Sequence, residues 1–564
     1  MVNVKNLFGM AVMATALVGC SSNDNLAPDG KDNVGKTGEA YASFTINLPT
    51  TRATRVAGEP TFAEGDAKEY EVKNGTILIF TNDGKFVTSA QLGNMNPWKD
   101  IKTDGVTTAA TATVQLSGVE VGGSYQALVL LNNDVNATTS KVKLPSTGES
   151  YATWSAKAEN ATAAYTNTDY IFMANAPKYT DASAEPTTLV PVANICASRE
   201  QAEAKAATTV YVERGLAKVT MQKFNADGYS IAAGTYKGDK VEIKNWQLDV
   251  TNKSTFPVHQ TSGLTTGFAE IWSKSRFFDG DNNTFKRVYW GVDPNYNDAK
   301  YQVLDNCNEA FNMISKNDIN GVAGVAQYCL ENTFDLANMM QGQTTRVVFK
   351  AVYSPKTFSP NETFYKVANN TAVWHENDLK TQIKTLALQA MGITTTAEQE
   401  KYDVKLDATT NDISGKAGQH IIKTDNITFS DATGTYTSKI NDDVVKTVNE
   451  KLGLSEDPTT HKVIVGISTY LNGEAYYIAR IKHFNELTPW TAGTPYNGDN
   501  NAFLGRYGVL RNNWYDLSVR SISGLGYPDV PEVKPTVPDD ENEQFINVEV
   551  KILDWAKRSQ SIDL

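Results

Sequence analysis

Residues 42–55 read ASFTINLPTTRATR. Ala42, Phe44, Ile46 and Leu48 alternate with Ser43, Thr45 and Asn47. That period of two puts one face of a β-strand in a core and the other in water. Pro49 ends the run. Arg52 and Arg55 follow within a small polar stretch. A target for an arginine-specific protease therefore stands directly behind a good core strand, close to the N-terminus, as if the chain were built to lose that strand.

The segment before it reads as an export signal. Residues 1–20 are MVNVKNLFGMAVMATALVGC. Lys5 supplies the positive start, and 7–18 is an apolar run too short to span a bilayer as a helix. Leu17-Val18-Gly19-Cys20 resembles a bacterial lipobox, in which the signal is cut before the cysteine and the Cys20 thiol carries lipid. Residues 21–40 are polar and Gly-rich without periodicity, and read as a flexible tether.

Composition narrows the class. The 564 residues suffice for two to four domains. Aromatics make up 10%, with 25 Tyr, which together with frequent Thr and Val leans towards β structure. The net charge of -12 argues against nucleic acid as the main partner. Of the four cysteines, Cys20 is assigned to lipid, and the odd remainder cannot form a complete disulfide framework. A Cys307–Cys329 bridge and free buried thiols both stay open. No CxxC pair supports a zinc site, and neither a metal nor a cofactor is expected.

Alternating runs predict strands at 76–80, 86–92, 110–116, 125–131, 169–174, 209–221, 241–250, 345–353, 363–367, 462–470, 475–482 and 513–522. Helices are few. Residues 441–452 carry an Asn/Asp cap, Val445, Val448 and Leu452 on one face, and Gly453 as a stop. Residues 377–390 look similar. The chain is therefore mostly β, with helical insertions late.

After 527 the body stops. Residues 528–544, PDVPEVKPTVPDDENEQ, are Pro-rich and acidic and read as an extended spacer. Then Ile546, Val548, Val550 and Ile552 alternate with Asn547, Glu549 and Lys551. A lone amphipathic strand is unstable in water and must join a sheet. It can fold back onto its own domain, or the spacer can carry it to a partner's sheet. The strand at 42–48 and the strand at 546–552 each present four apolar side chains at period two, so either suits the same groove. Cutting the first free would remove its high effective concentration and favour the second, which is the logic of donor-strand complementation.

At this point the chain resembles a known family, the fimbrillins of Bacteroidetes type V pili, in particular the major subunits of Mfa-type short fimbriae. The resemblance rests on the lipobox, tether, strand and arginine loop; on VYVERGLAKVTM at 210–221; on LRNNWYDLSVRSISGLGYP at 510–528; and on INVEVKILDWAKRSQSIDL at 546–564. It implies two transthyretin-like β-sandwich domains, 41–222 and 223–527, followed by a linker and donor strand at 528–564. It implies an outer-membrane lipoprotein precursor cut at Arg52 or Arg55 by an arginine-specific protease. The displaced strand would carry Phe44, Ile46 and Leu48; the donor strand Ile546, Val548, Val550 and Ile552. The partners would be further copies of the chain and the tip and anchor subunits of a cell-surface fimbria that supports adhesion and biofilm formation.

Rival readings are weaker on the residues. The five histidines, His259, His375, His420, His461 and His483, are scattered, and no HExxH, Gly-x-Ser-x-Gly or phosphate-loop pattern occurs, so an enzyme is not expected. The runs 279–283 and 497–501 carry alternating oxygen ligands but lack the Gly and distal Glu of a calcium loop, and read as turns. A monomeric glycan-binding lipoprotein explains the lipobox and the acidity. It explains neither the arginine loop nor the tethered last strand. A tip or accessory fimbrial subunit remains an alternative within the family.

Overall fold

The computed structural model describes residues 39–49, 66–93, 99–100, 106–133, 142–160, 163–178, 185–264, 288–400, 402–406, 418–423, 427–430, 440–483, 504–539 and 545–554. Cys20, Arg52, Arg55 and the turns at 279–283 and 497–501 lie outside them. The fold is mostly β, as the alternating runs predict.

In the first domain, β1 (Glu39–Pro49), β2 (Gly75–Thr81), β3 (Phe86–Gln91), β4 (Lys99–Asp100), β5 (Val106–Ser117), β6 (Tyr125–Leu131), β7 (Met173–Asn175) and β8 (Thr208–Arg214) form one continuous sheet. Its order is β3-β2-β6-β7-β8-β1-β5-β4. Ile77, Ile79, Val129 and Leu131 from one half meet Phe44, Ile46, Val114 and Leu116 from the other in a single core. The sheet therefore folds back on itself as a sandwich. Helices α1 (Ala67–Tyr70) and α2 (Arg199–Ala204) flank it.

The strand expected at 209–221 is two strands. It divides at Gly215, where β9 (Leu216–Met221) begins and joins a different sheet. Gly215 N–H donates to Phe172 O at 2.8 Å, and a Cβ on Gly215 would lie 3.1 Å from the Phe172 ring. The chain thus changes sheets at Gly215.

The second domain is a sandwich of two four-stranded sheets. Its further strands are β10 (Tyr229–Ser230), β11 (Lys240–Asp249), β12 (Gln327–Leu330) and β13 (Arg346–Ser354). An insertion follows, made of β14 (Phe364–Val367), β15 (Val373–His375), α3 (Glu376–Ala390), β16 (Gln419–His420), α4 (Asp442–Leu452) and β17 (Ile467–Tyr470). The chain then returns through β18 (Glu474–Arg480), β19 (Asn513–Ile522) and β20 (Ile546–Asp554). The sheets are β12-β9-β19-β20 and β10-β11-β13-β18, and Val219, Trp246, Phe349, Tyr477, Tyr515 and Val548 meet between them.

The insertion has its own sheet, β15-β14-β17-β16, and its own core. Leu379, Ile383 and Ala387 of α3 face Val444, Val445 and Val448 of α4 there, at the spacings that one helix face dictates. The caps of α4 are those the residues predict. Asn441 accepts from Val444 N–H at 3.1 Å, and Gly453 takes the left-handed φ of +73° that favours glycine.

Of the two readings left open for the cysteines, the free one holds: Cys307 and Cys329 are not bridged, and with Cys196 they are free and buried. They belong to different cores, and the Cys307 thiol donates to Tyr301 O at 2.7 Å. One expectation needs correction: the spacer after 527 does not stand away from the body. Val530 packs with Ile319, Val348 and Tyr476, and Val533 packs with Val250 and Cys307. Lys316 Nζ lies 3.0 Å from the Asp529 carboxylate, Arg346 Nη2 donates to Pro531 O at 2.6 Å, and Thr344 Oγ1 donates to Asp539 at 2.8 Å. Prolines give the segment its extended path, but two valines and satisfied polar groups dock it across a sheet face.

Candidate functional site

The first element of interest is the seat of β1. It lies inside the sheet, antiparallel to β5 along its whole length from Glu39↔Ser117 to Pro49↔Val106. On the other side it runs parallel to β8 from Phe44↔Thr208 to Asn47↔Tyr211. Nearer its start, Tyr41 N–H and C=O bond to Cys196 O and N–H at 2.8 and 2.9 Å. Removing β1 would therefore expose two rows of backbone groups and open a slot between β5 and β8.

The side chains lock the strand from both faces. Ala40, Ala42, Phe44 and Ile46 are fully buried and Leu48 nearly so. Burial of Phe44, Ile46 and Leu48 contributes roughly 5–9 kcal/mol as an upper bound. The polar face is less exposed than alternation alone suggests, because Ser43 and Asn47 are buried too. Ser43 Oγ donates to Ala202 O of α2 at 2.9 Å and lies 2.8 Å from Thr113 Oγ1; Thr45 lies 2.9 Å from Thr111 Oγ1. Arg199, on α2, donates to Thr113 O at 2.9 Å and holds its guanidinium 5.9 Å from the centre of the Tyr41 ring.

The second element is β20, which carries the expected donor residues. It pairs antiparallel with β19 from Ile546↔Ile522 to Asp554↔Asn513. In the described sheet it is an edge strand with that one neighbour. Ile546, Val548 and Val550 are buried in the second core, while Glu549 on the other face ion-pairs with Arg520. Ile552 is in the strand, opposite Tyr515. In this isolated chain, then, the last strand folds back onto its own domain.

The third element was legible only as a pair of motifs. Glu213, Arg214 and Lys218 come from VYVERGLAKVTM, and Arg511, Asn512 and Asn513 from LRNNWYDLSV. The fold brings them together between the domains, because β9 runs parallel to β19 with Lys218 opposite Trp514. Asn512 N–H donates to Leu216 O at 2.7 Å, and Arg214 N–H to Asn512 Oδ1 at 3.2 Å. Arg511 Nε lies 3.3 Å from Glu331, and the His259 ring lies 2.6 Å from Glu213. Lys218 Nζ lies 2.6 Å from Glu69 and 3.8 Å from the centre of the Trp514 ring. Tyr328 hydroxyl also donates to Glu69, and Arg214 Nε donates to Glu69 O at 2.9 Å. These charged groups are buried; Lys218 and Arg511 pair with carboxylates and Arg214 is held by hydrogen bonds, as their desolvation demands. The network is a static clamp between the domains and around α1, which follows the arginine loop in sequence. Glu69 and Glu331, its remaining carboxylates, carried no sequence signal beyond their charge.

Residues 468–561, spanning β19 and β20, match the family described as major fimbrial subunit protein type IV, fimbrillin, C-terminal. The fimbrillin resemblance read from the residues is borne out by this match. No curated protein matches the chain. Among solved structures, a candidate cell adhesion protein of Parabacteroides distasonis overlaps 93% of this chain and 99% of its own, at 9% identity and a TM-score of 0.38. A fimbrial assembly protein of the same species overlaps 56% and 82%, at 13% identity and 0.28. The C-terminally truncated tip fimbrial protein Mfa3 of Porphyromonas gingivalis overlaps 91% and 100%, at 11% identity and 0.26. Overlaps this weak carry nothing for function.

Proposed function

We propose, for a chain whose residues 468–561 are a fimbrillin C-terminal region, the role of a structural subunit in a cell-surface fimbria. The chain reaches the outer membrane as a precursor with lipid on Cys20. An arginine-specific protease cuts after Arg52 or Arg55. β1 then leaves, and the C-terminal strand of another copy fills its slot. A chain that both accepts and donates a strand is a shaft subunit, and tip and anchor subunits complete the filament. Its role is structural, in adhesion and biofilm formation, and not catalytic.

The observation that carries this reading is the placement of β1 between β5 and β8. In its own domain β20 has one pairing neighbour; in the slot it would have two. Against a slot that β1 has left, the move exchanges one ladder for two, whereas against a docked β1 it would give one up. While β1 is covalently attached, its effective concentration keeps the slot filled. Cleavage removes that advantage.

N-terminal sequencing of assembled filaments tests the reading. The expected subunit begins at Ala53 or Val56. Replacing both Arg52 and Arg55 by Ala is expected to yield a folded monomer that does not polymerise. Filaments that retain residues 42–48 would overturn the proposal.

A further inference from the structure

A strand entering the β1 slot can run in either direction and take several registers. We infer that the C-terminal strand of a second copy enters in β1's own direction, with FINVEVKI, 545–552, lying where YASFTINL, 41–48, lies now. The inference rests on the strand-exchange reading above and adds the direction and register.

Direction follows from the two ends of the slot. β8 runs parallel to β1 and ends at Arg214, which is bonded to Glu69 and to Asn512 of the second domain. The Pro49 end of the slot therefore runs into the molecule's own body. At the Glu39 end, β5 finishes at Ser117, and the turn beyond it carries Val121, 52% exposed. The donor strand is attached at its own N-terminal side to a bulky body. Asp539 is fully buried and bonded to Thr344 and Met339, seven positions before Ile546. Seven residues reach about 25 Å when extended. Among the described residues the Glu39 end is the one not backed by the second domain, so Ile546 takes the Glu39 side.

Register follows from what each seat accepts. A shift by one residue would turn every apolar side chain outward, so only even shifts count. Moving the donor two positions towards Glu39 would put Asp554 in the seat of Leu48, which is 1% exposed. Moving it two positions the other way would put Phe545 in the seat of Ser43, beside the Ala202 carbonyl. Between these, Ile546, Val548, Val550 and Ile552 replace Ala42, Phe44, Ile46 and Leu48. The larger first residue offsets the smaller second one, so total volume is nearly kept. Phe545 replaces Tyr41 and gives the Arg199 guanidinium another aromatic face. Asn547 replaces Ser43 and has both a donor for Ala202 O and an acceptor for Thr113.

Cysteine pairs on the polar face test this. Because Ser43 pairs with Thr113 and Thr45 with Thr111, the chain Asn547→Cys/Thr113→Cys and the chain Glu549→Cys/Thr111→Cys are each expected to give oxidised filaments that run as covalent ladders without reductant. Asn547→Cys/Ala109→Cys reports the reversed direction, in which residue 549 still lies opposite Thr111, and Glu549→Cys/Thr113→Cys reports the shifted register. Ladders from either of these, with none from Asn547→Cys/Thr113→Cys, would overturn the direction or the register while leaving strand exchange standing. Filaments in which no β5 cysteine joins the tail would overturn both. A synthetic peptide of residues 541–560 carrying cysteine at 547, added to processed Thr113→Cys protein, reads the same direction and register without requiring a variant tail to fold in its own domain. A covalent adduct is expected there, and its formation with Ala109→Cys instead would overturn the direction.

Discussion

Lys218 Nζ lies 2.6 Å from Glu69 Oε1, with the two side chains 4% and 1% exposed. Glu69 belongs to α1, the first described element after the arginine loop, and Lys218 to β9, the first strand of the second domain. The pair therefore ties the start of the post-loop chain to the domain junction. Loss of β1 by cleavage in the loop would leave this tie in place, because neither partner lies on the departing segment.

Removing one partner of such a pair strands the other charge without water. Lys218→Met is expected to destabilise the protein by about 3–5 kcal/mol, read by urea unfolding. Adding Glu69→Gln should restore part of the loss, since the carboxylate is then neutralised. A loss in the double variant equal to the sum of the losses from Lys218→Met and Glu69→Gln alone would show that the two residues are not coupled.

Phe44 separates the precursor from the mature subunit. Phe44→Ala is expected to cost the precursor about 3–5 kcal/mol, because the side chain is fully buried in the first core. Filaments assembled from the same chain should melt as unmodified ones do, since the residue has left with β1. A filament weakened as much as the precursor would mean that β1 stays.

Val548 is 4% exposed in the second core of the isolated chain. Val548→Asp should therefore destabilise the monomer by several kcal/mol as well as prevent exchange, because an unpaired carboxylate enters an apolar core. Glu549→Gln removes the ion pair with Arg520 and should cost less. Thermal melts of unpolymerised protein check both, and an unaltered melt for Val548→Asp would contradict the docked position of β20.

Two buried groups shape stability against pH in opposite senses. Burial pushes the Asp293 carboxyl from 3.8 up to about 7, so the fold holds a proton there that the unfolded chain has lost. Its contribution is least favourable above about 7 and improves as pH falls towards 4. Burial pushes His420 from 6.5 down to about 4, so it stays neutral in the fold while the unfolded chain protonates. Its contribution is complete above about 6.5 and is lost as pH falls towards 4. Asp293→Asn should accordingly gain more stability at about pH 7.5 than at about pH 4.5, by a few kcal/mol at roughly 1.4 per pKa unit. His420→Gln should show the opposite bias. Urea midpoints that shift equally at both pH values would remove these groups as the cause.

Sequence by itself determined the local features of this protein. Period-two alternation marks β1, β20 and most strands between them, and Asn441 and Gly453 mark the ends of α4, because these signals depend on neighbours a few residues apart. The tertiary structure decided which seat each strand takes. Alternation says that one face of a strand is apolar; it does not say whether one or two strands lie beside it. β1 therefore sits between two partners and β20 beside one, although their patterns are alike. Only folding brought Glu213, Arg214 and Lys218 to Arg511 and Asn512, almost three hundred residues away, and docked the Pro-rich segment after 527. Buried charges and an extended backbone find their partners across the chain, and which partners they find depends on how the sheets are assembled.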